Sequence, residues 1–242
     1  MLAKRITSLQ HPQVLHWAKL LRTRSHRENE AAVLLSGQKL VRELAREAPL
    51  KSLITLEECP EIAASERFLV SESMLKKITG LESPDGYAAE IPLPSPKDLS
   101  SCKTLLILDR ISDPGNLGTL IRTAYALGWE GVAATLGTVD LFNDKAIRAA
   151  KGATFRLPYA IESPEILASW NYSFYVGDIE GKPLSESRFL SPRALILGSE
   201  GQGPSSWARK AAEKIHIPMR DEAESLNVAA AGAILLYAMR PS

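Results

Sequence analysis

Three short polar segments, each set in apolar sequence, carry the residue types that can do chemistry. They are residues 108–124 (LDRISDPGNLGTLIRTA), residues 197–203 (LGSEGQG) and residues 217–228, which begin with IPMR and end with ESLNV. Each segment places carboxylate, amide or guanidinium groups at the end of a predicted buried strand. Open α/β sheets bind ligands at the carboxyl ends of their strands, so these segments predict a ligand-binding site.

The candidate catalytic residues in these segments also have structural interpretations. Asn116 stands where an N-cap would precede the next helix, and Ser225 or Asn227 can cap the last helix. Arg122 follows Asn116 by six residues, about 120° around a helix axis, so the two side chains can flank a ligand without sharing one face. Arg122 is equally compatible with a plain surface position. Glu200 can complement the dipole of the helix that follows it.

Glycines surround Glu200 in the second segment. Gly198, Gly201 and Gly203 allow positive φ angles and a close approach of a ligand to the backbone. Their spacing is not G-x-G-x-x-G and no G-K-[ST] follows, so neither the dinucleotide-binding motif nor the P-loop is present. The helix after the third segment begins VAAAGA, and such small side chains allow close packing of the backbone.

The composition is ordinary for a globular protein, but positive charge is concentrated near the N-terminus. The chain has 242 residues, of which 45% are hydrophobic and 24% charged, and its net charge is +1. No acidic residue precedes Glu28, and the basic residues before it are the candidate phosphate-binding residues Lys4, Arg5, Lys19, Arg22, Arg24 and Arg27. Such a cluster can bind phosphates, although a solvated helix face has the same composition.

Cysteine and histidine usage predicts no metal. Cys59 and Cys102 form no CxxC pair, and the four histidines show no metal-ligand spacing. Free thiols are typical of a reducing cytosol, and the first residues lack the apolar run of a signal peptide. No apolar segment reaches the roughly 18 residues of a membrane span. We therefore expect a cytoplasmic protein without membrane contact.

Hydrophobic patterning divides the chain into two parts. Residues 1–92 mix helices, predicted at 12–23, 38–47 and 71–78, with strands at 33–35 and 50–56. Prolines at positions 92, 94 and 96 predict a linker, which we place at residues 93–103. Residues 104–242 alternate strands with helices, which predicts an α/β domain with a parallel sheet covered on both faces. Its predicted strands are 104–109, 131–135, 174–177, 194–197 and 214–217, and its predicted helices are 117–127, 144–151, 164–170, 204–212 and 226–239.

Taken together, the three segments resemble the motifs of the SpoU (TrmH-type) family of RNA ribose 2′-O-methyltransferases, within the SPOUT superfamily. The first resembles D-x-I-x-D-P-x-N-x-G-x-x-x-R-T-A, the second L-G-x-E-G-x-G, and the third I-P-M followed by S-L-N-V and a small-residue helix. Residues 140–153 (DLFNDKAIRAAKGA) resemble the segment between motifs, with Ala150 where the family often has serine. The resemblance covers about residues 104–240. More loosely, residues 1–92 resemble the substrate-binding domain that often precedes this catalytic domain.

The resemblance implies a fold, a cofactor and a partner that the patterning does not. The parallel-sheet domain would carry a C-terminal deep trefoil knot, preceded by a small RNA-binding domain of helices and strands. The phosphate-binding candidates of that domain would then bind the RNA backbone. S-adenosylmethionine would bind in the knot, against Gly198, Gly201, Ile217, Met219 and Leu226. The protein would be a homodimer with its active site near the subunit interface, and no metal would take part.

The resemblance also implicates Asn116, Arg122, Glu200, Ser225 and Asn227 in methylation of a ribose 2′-hydroxyl. A guanidinium is effectively always protonated, so we assign Arg122 to the phosphate beside the target ribose. Glu200 is expected to orient Arg122 or to accept the proton, and Ser225 and Asn227 to position the ribose or that arginine. Large-subunit rRNA is the expected substrate, because the two-domain arrangement resembles that of rRNA enzymes.

Three other interpretations are compatible with the sequence. A tRNA substrate is one, because the catalytic motifs are shared within the family. A non-catalytic RNA-binding protein with a degenerate methyltransferase fold is the second, and the intact set of candidate catalytic residues argues against it. A nucleotide- or dinucleotide-dependent α/β enzyme is the third, and the absence of G-x-G-x-x-G argues against that.

Overall fold

The computed structural model describes residues 3–220, 222 and 224–241. The chain divides into two compact units. The first comprises residues 1–94 and 142–148, and the second comprises residues 95–141 and 149–242. Segment 142–148 therefore belongs to the first unit although it lies within the sequence of the second, which no pattern in the sequence predicted.

The first unit is built on a five-stranded mixed sheet. Its strands, in the order β1-β4-β3-β5-β2, are β1 (Lys4–Arg5), β2 (Ala32–Ser36), β3 (Leu50–Thr55), β4 (Ala64–Leu69) and β5 (Tyr87–Pro92). β1 and β3 pair with β4 in parallel, whereas β2 and β3 pair with β5 antiparallel. The helices of this part of the chain are α1 (Pro12–Arg22), α2 (Arg24–Glu30), α3 (Gln38–Glu47) and α4 (Glu72–Thr79).

The core of the first unit forms from the apolar stripes of its helices. Val14 and Trp17 of α1 pack in one cluster with Leu34 of β2, Phe68 of β4 and Ile78 of α4. The indole of Trp17 meets the Phe68 ring edge-on, with ring centroids 5.0 Å apart. This burial orients α1 by its apolar face and leaves its polar face outside the cluster.

Four elements of the first unit are not predicted by the hydrophobic patterning, the shortest being the two-residue strand β1. α2 reads RSHRENE and has no apolar residue to mark a buried face. β4 reads ASERFL, in which the apolar residues are confined to the end of the strand. β5 includes Pro92 as its last residue. A proline is tolerated there because no later residue of the strand needs its missing N–H.

The second unit is built on a six-stranded sheet in the order β11-β9-β10-β6-β7-β8, and every pairing in it is parallel. Its strands are β6 (Thr104–Asp109), β7 (Gly131–Thr135), β8 (Tyr159–Glu162), β9 (Ser173–Pro183), β10 (Arg193–Gly198) and β11 (Glu213–His216). The later helices are α5 (Pro114–Ala126), α6 (Asp144–Ala150), α7 (Pro164–Ser169), α8 (Ser206–Ala211) and α9 (Val228–Ala238). The predicted α/β class with a parallel sheet is confirmed.

The central strands explain why the parallel sheet was predictable. β6 (TLLILD) is buried along its whole length, and β10 (RALILG) is buried from its second residue onward, as expected for strands covered on both faces. β8 was missed because it is only four residues long and reads YAIE. β9 was expected to end at Gly177 but continues to Pro183, where it pairs with β11 across a register shift between Lys214 and Ile215.

Helix α9 (VAAAGAILLYA) is almost entirely apolar and packs at very close range. A Cβ atom at Gly232 would lie 2.2 Å from Leu120 Cδ2 and 2.8 Å from Leu197 Cδ1, so a larger residue would require one or both leucine side chains to move where α9 approaches α5 and β10. Neither α9 nor any other helix in the described part of the chain is both long and apolar enough to cross a membrane.

Candidate active site

The three polar segments meet near the carboxyl ends of β6 and β10, where hydrogen bonds connect their side chains. Glu200 accepts hydrogen bonds from Ser112 Oγ at Oε2 (3.1 Å) and from Asn116 Nδ2 at Oε1 (2.9 Å). Asn116 Oδ1 in turn accepts a hydrogen bond from Asn227 Nδ2 (3.2 Å). These four residues form the Glu200 network, which contains one residue or more from each segment.

The backbone of α5 explains why Asn116 is available to this network. Asp113 is the N-cap of α5, and its Oδ1 accepts a hydrogen bond from the backbone N–H of Asn116 (2.8 Å). Pro114 occupies the first turn, where its missing N–H has no cost. The prediction that Asn116 is the N-cap is therefore wrong. Asn116 lies in the first turn of α5, and its side chain is free to hold Glu200.

Asn227 both caps α9 and joins the network. Its Oδ1 accepts hydrogen bonds from the backbone N–H groups of Ala229 (2.9 Å) and Ala230 (3.3 Å). The other end of the same amide donates to Asn116. Of the two capping residues considered for this helix, the structure uses Asn227, and Ser225 lies exposed before it.

Asp109, buried at the end of β6, fixes the glycine-rich loop. Its Oδ2 accepts a hydrogen bond from the backbone N–H of Ser205 (2.8 Å), and its Oδ1 accepts one from Thr135 Oγ1 (3.2 Å). Gly198 pairs with Asp109 in the sheet, and a Cβ atom at Gly198 would lie 2.3 Å from Pro204 N. The loop 199–204 is therefore folded back onto the end of its own strand.

The three glycines of this loop serve different purposes. Of the three, only Gly203 has a positive φ, of 65°. At Gly198 the loop backbone occupies the space that a side chain would need. A Cβ atom at Gly201 would meet nothing within 4 Å, so Gly201 borders open space.

The surroundings of Glu200 favour its ionised form. Partial burial opposes ionisation, but hydrogen bonds from Asn116, from the backbone and from Ser112 outweigh it, so the pKa of Glu200 lies below its usual range. Glu200 lies against the first turn of α5, and α8 begins only at Ser206. The interpretation of Glu200 as a charge that complements the following helix is therefore wrong.

A cavity of about 740 Å³ adjoins the Glu200 network. It is bordered by all of the residues predicted to contact the cofactor: Gly198, Gly201, Ile217, Met219 and Leu226. Three of the predicted catalytic residues, Glu200, Ser225 and Asn227, border it as well. Asn116 contacts two of these from the side, Glu200 and Asn227. The structure thus brings the second and third segments together around one space.

Sequence reasoning missed Asp178 as a residue of this cavity. Asp178 is buried in β9, and its Oδ2 lies 2.9 Å from Arg209 Nε. The strand was predicted to end at Gly177, so Asp178 follows an apolar run in the same way that Asp109 does. An acidic residue directly after an apolar run is therefore the sequence signal for this position.

Arg122 stands apart from the Glu200 network. It lies on α5 and is exposed, and its side chain makes no hydrogen bond or ion pair with any residue that the structure describes. Within one chain, therefore, the expected orientation of Arg122 by Glu200 is not seen. Its guanidinium is available to a group from outside the chain.

The candidate RNA-binding residues of the first unit differ in availability. Arg27 is only 3% exposed, and its Nη1 donates hydrogen bonds to the carbonyl oxygens of Leu20 (2.6 Å) and Leu21 (3.2 Å). The assignment of Arg27 to RNA is therefore wrong, because its guanidinium satisfies carbonyl groups at the end of α1. The other five candidates are exposed. Two of them form ion pairs, Lys4 with Glu66 (2.6 Å) and Arg24 with Glu28 (2.8 Å). The remaining three are Arg5, Lys19 and Arg22.

The site has the arrangement of α/β enzymes that bind a ligand at the carboxyl ends of parallel strands. Comparison with known proteins identifies the family within this class. The chain matches the SpoU rRNA Methylase family over residues 103–237 and the MRM3-like substrate binding domain over residues 11–89. The first match covers more than half of the chain, so the protein belongs to the SpoU rRNA methylase family. The resemblance drawn from the three segments is confirmed.

Two relatives are similar over nearly their whole length. The 23S rRNA (guanosine(2553)-2'-O)-methyltransferase RlmP of Bacillus subtilis (strain 168) is 32% identical over 248 residues, which cover 98% of this chain and 99% of the relative. The 23S rRNA (uridine(2479)-2'-O)-methyltransferase of Streptomyces viridochromogenes is 27% identical, with 97% and 91% of the two chains covered.

A solved structure is similar over the same extent. The AdoMet-bound rRNA methyltransferase from Sinorhizobium meliloti superposes with a TM-score of 0.86 at 28% identity. The superposition covers 98% of this chain and 97% of that one.

Proposed function

We propose that this protein transfers the methyl group of S-adenosylmethionine to a ribose 2′-hydroxyl of RNA, and that its substrate is large-subunit (23S) rRNA. The observation that carries the proposal is the Glu200 network, which joins all three family segments beside one cavity. The B. subtilis relative, named for 2′-O-methylation of a 23S rRNA guanosine, supports rRNA as the substrate.

The cavity fits S-adenosylmethionine in size and in chemistry. Its volume of about 740 Å³ lies within the range of small-molecule sites. Ile217, Met219 and Leu226 offer apolar surface to an adenine ring. When bound, the cofactor supplies a methyl group on a positively charged sulfur. The S. meliloti structure, which is AdoMet-bound, supports the same assignment.

The residues around the cavity divide the remaining work. Arg122 binds the phosphate beside the target ribose, because its guanidinium has no partner within the described chain. Its positive charge favours loss of the 2′-hydroxyl proton, which passes to solvent water. Ser225 and Asn227 position the ribose. Glu200, already engaged by Ser112 and Asn116 and with a pKa below its usual range, holds the network and is a poor proton acceptor.

We assign the protein a homodimer whose active site lies near the subunit interface. Arg122 and the exposed Tyr125 lie on α5, and the exposed Ile234 and Tyr237 lie on α9, which packs against α5. Exposed apolar side chains on neighbouring helices favour a protein interface. The site would be completed by Arg122 of a second copy, because Arg122 does not reach Glu200 within its own chain.

A C-terminal deep trefoil knot is part of the same proposal. The path of the chain supports it. β11 lies at the edge of the sheet, and the chain then returns towards the middle of the sheet, where α9 packs against α5 and β10. The bond between Asn227 and Asn116 closes this return. The knot would hold the cofactor pocket rigid between its loops.

The N-terminal domain, residues 1–92, would bind the RNA, and residues 104–242 would form the catalytic domain. Lys4, Arg5, Lys19, Arg22 and Arg24 supply exposed positive charge for phosphates, so binding should weaken with salt.

We place the protein in the cytoplasm, where rRNA would be its substrate. Both cysteines are free, which fits a reducing compartment.

The test is methylation of RNA with labelled S-adenosylmethionine. The purified protein is incubated with total rRNA or total tRNA from cells that lack it, and the labelled nucleotide is mapped after digestion. Label on a ribose 2′-oxygen of large-subunit rRNA is expected. Label in tRNA alone would support the proposed 2′-O-methylation but show that the substrate is tRNA and not rRNA. Cofactor binding with no label in any RNA or ribosomal particle would favour a non-catalytic RNA-binding protein.

Arg122→Ala separates catalysis from cofactor binding. We expect it to abolish turnover and to leave the Kd for S-adenosylmethionine nearly unchanged, because Arg122 is not among the residues that border the cavity. Loss of cofactor binding in a folded Arg122→Ala protein would contradict this division of roles. Isothermal titration calorimetry measures the Kd, and the labelling assay measures turnover.

A further inference from the structure

The first unit contains a group of side chains that could bind a metal ion, separate from the candidate active site. His16 on α1 and His26 and Glu30 on α2 bring one nitrogen or oxygen atom each within 4.8 Å of one another. His16 Nδ1 and His26 Nε2 are 3.2 Å apart, and the two rings meet edge-on. Nothing in the proposed methyl transfer uses these residues.

The nitrogen–nitrogen distance is the one that a shared metal ion requires. Zinc–nitrogen bonds are about 2.0–2.1 Å long, and structural zinc is tetrahedral. Two such bonds at a tetrahedral angle span about 3.3 Å, close to the observed 3.2 Å. The imidazole nitrogens therefore need little movement to hold one ion.

Glu90 supplies the support that a metal-binding histidine needs. It is 2% exposed, its Oε1 lies 3.4 Å from His16 Nε2, and its Oε2 accepts a hydrogen bond from Trp17 Nε1 (2.9 Å). Lys51 Nζ lies 2.6 Å from Glu90 Oε1 and fixes the carboxylate further. A carboxylate on one ring nitrogen places the N–H there and leaves the lone pair on the other. The lone pair of His16 Nδ1 then faces His26.

Helix α2 places the other two ligands on one face. His26 and Glu30 are four residues apart, so their side chains are neighbours along the helix. Glu30 is exposed and His26 half-buried, which leaves an approach for an ion from solvent. The sequence hid this set, because its spacing, H-x9-H-x3-E, spans two helices.

We propose that His16, His26 and Glu30 bind one divalent transition-metal ion of the zinc class, with water completing its coordination. Two imidazoles and one carboxylate suit zinc better than magnesium or calcium, which prefer oxygen ligands. The ion ties α1 to α2 across the break at Thr23. It therefore holds in one arrangement the two helices that carry Lys19, Arg22 and Arg24.

Calorimetric titration of the full-length, chelator-treated protein with Zn²⁺ tests the site. We expect saturable binding of one ion per chain, and a Kd raised at least about 10-fold in His26→Ala and in Glu30→Gln. Glu28→Gln is the matched control, because Glu28 is exposed on the same helix and pairs with Arg24 instead. Its Kd should equal that of the unmodified chain.

Co²⁺ gives a second readout that does not depend on methylation. Visible absorption bands of a Co²⁺ ion held by nitrogen and oxygen ligands are expected in the unmodified protein and in Glu28→Gln, and should be lost in His26→Ala. Circular dichroism on each variant establishes that it is folded. No saturable Zn²⁺ binding, or an unchanged Kd in both His26→Ala and Glu30→Gln, would overturn the proposal and leave a plain hydrogen bond between two histidines.

Discussion

Replacing Gly198 with alanine is expected to displace the loop that borders the cavity. A Cβ atom at position 198 would lie 2.3 Å from Pro204 N, 2.4 Å from Gly203 C and 2.5 Å from Pro204 Cα. Favourable carbon contacts lie at about 3.5–4.0 Å, so the loop must move by about 1 Å. All three neighbours are backbone atoms, so no change of rotamer can relieve the overlap.

The structure sets the size of the effect on both stability and turnover. Overpacking of this kind costs about 1–3 kcal/mol. A protein of this length loses about 2–4 °C of Tm per kcal/mol, so Tm should fall by about 2–12 °C. A displacement of about 1 Å at a catalytic site costs about 100-fold in rate. The bond from Ser205 to Asp109 would weaken with the same movement.

Scanning calorimetry measures the change in Tm, and the labelling assay measures the change in turnover. Titration with S-adenosylmethionine shows whether the displaced loop still allows the cofactor to bind, and Gly201→Ala is the control. Gly201 lies in the same loop, its φ is not positive, and a Cβ atom there meets nothing within 4 Å. Gly201→Ala should therefore melt like the unmodified protein. If Gly198→Ala also melts and binds the cofactor like the unmodified protein, the reasoning from backbone overlap is refuted.

Three further substitutions test other contacts. Asn227→Ala removes both the cap of α9 and the donor to Asn116, and should cost about 1 kcal/mol in urea unfolding. Asn227→Asp keeps the cap oxygen but loses the donor, so it should retain stability while losing activity; full activity in Asn227→Asp would count against the network. Gly232→Ala drives a methyl group into Leu120 and should lower the free energy of unfolding by about 1–3 kcal/mol; an unchanged urea midpoint would show that α9 can shift. Because the pKa of Glu200 lies below its usual range, its charge and the stability it brings persist above about pH 4.3 and are lost only below it. Activity between about pH 6 and 9 should therefore show no Glu200 titration, and an inflection there that Glu200→Gln removes would contradict this.

Much of the second unit could be predicted from sequence, because its strands are buried on both faces. β6 and β10 read as unbroken apolar runs, and the polar residue that ends each run marks the edge where the site lies. The helix start was misplaced, since Asp113 and Asn116 are both good capping residues and only the backbone shows that Asp113 fills that role. Periodicity also gave no sign that β9 continues beyond Gly177 and pairs with β11 there.

Side-chain partners in the first unit were harder to foresee. The charge pattern before Glu28 suggested one basic surface, but Arg27 turns inward to cap carbonyl groups at the end of α1, which depends on how α2 folds back. α2 itself has no apolar stripe, so neither its presence nor the meeting of His16 with His26 could be predicted. Contacts between neighbouring helices depend on the turn that joins them, and spacing along the chain does not specify that turn.

The bond between Asn116 and Asn227 also sets an order in time. Its two residues are 111 positions apart. A ribosome that adds about 5–20 residues per second emits the second of them roughly 6–22 seconds after the first. Until the end of that interval Asn116 lacks its partner Asn227, and α5 and β10, once made, lack the helix that covers them. A growing chain therefore has no completed site with which to modify RNA, and the activity begins only after residue 227 has been made and α9 has docked.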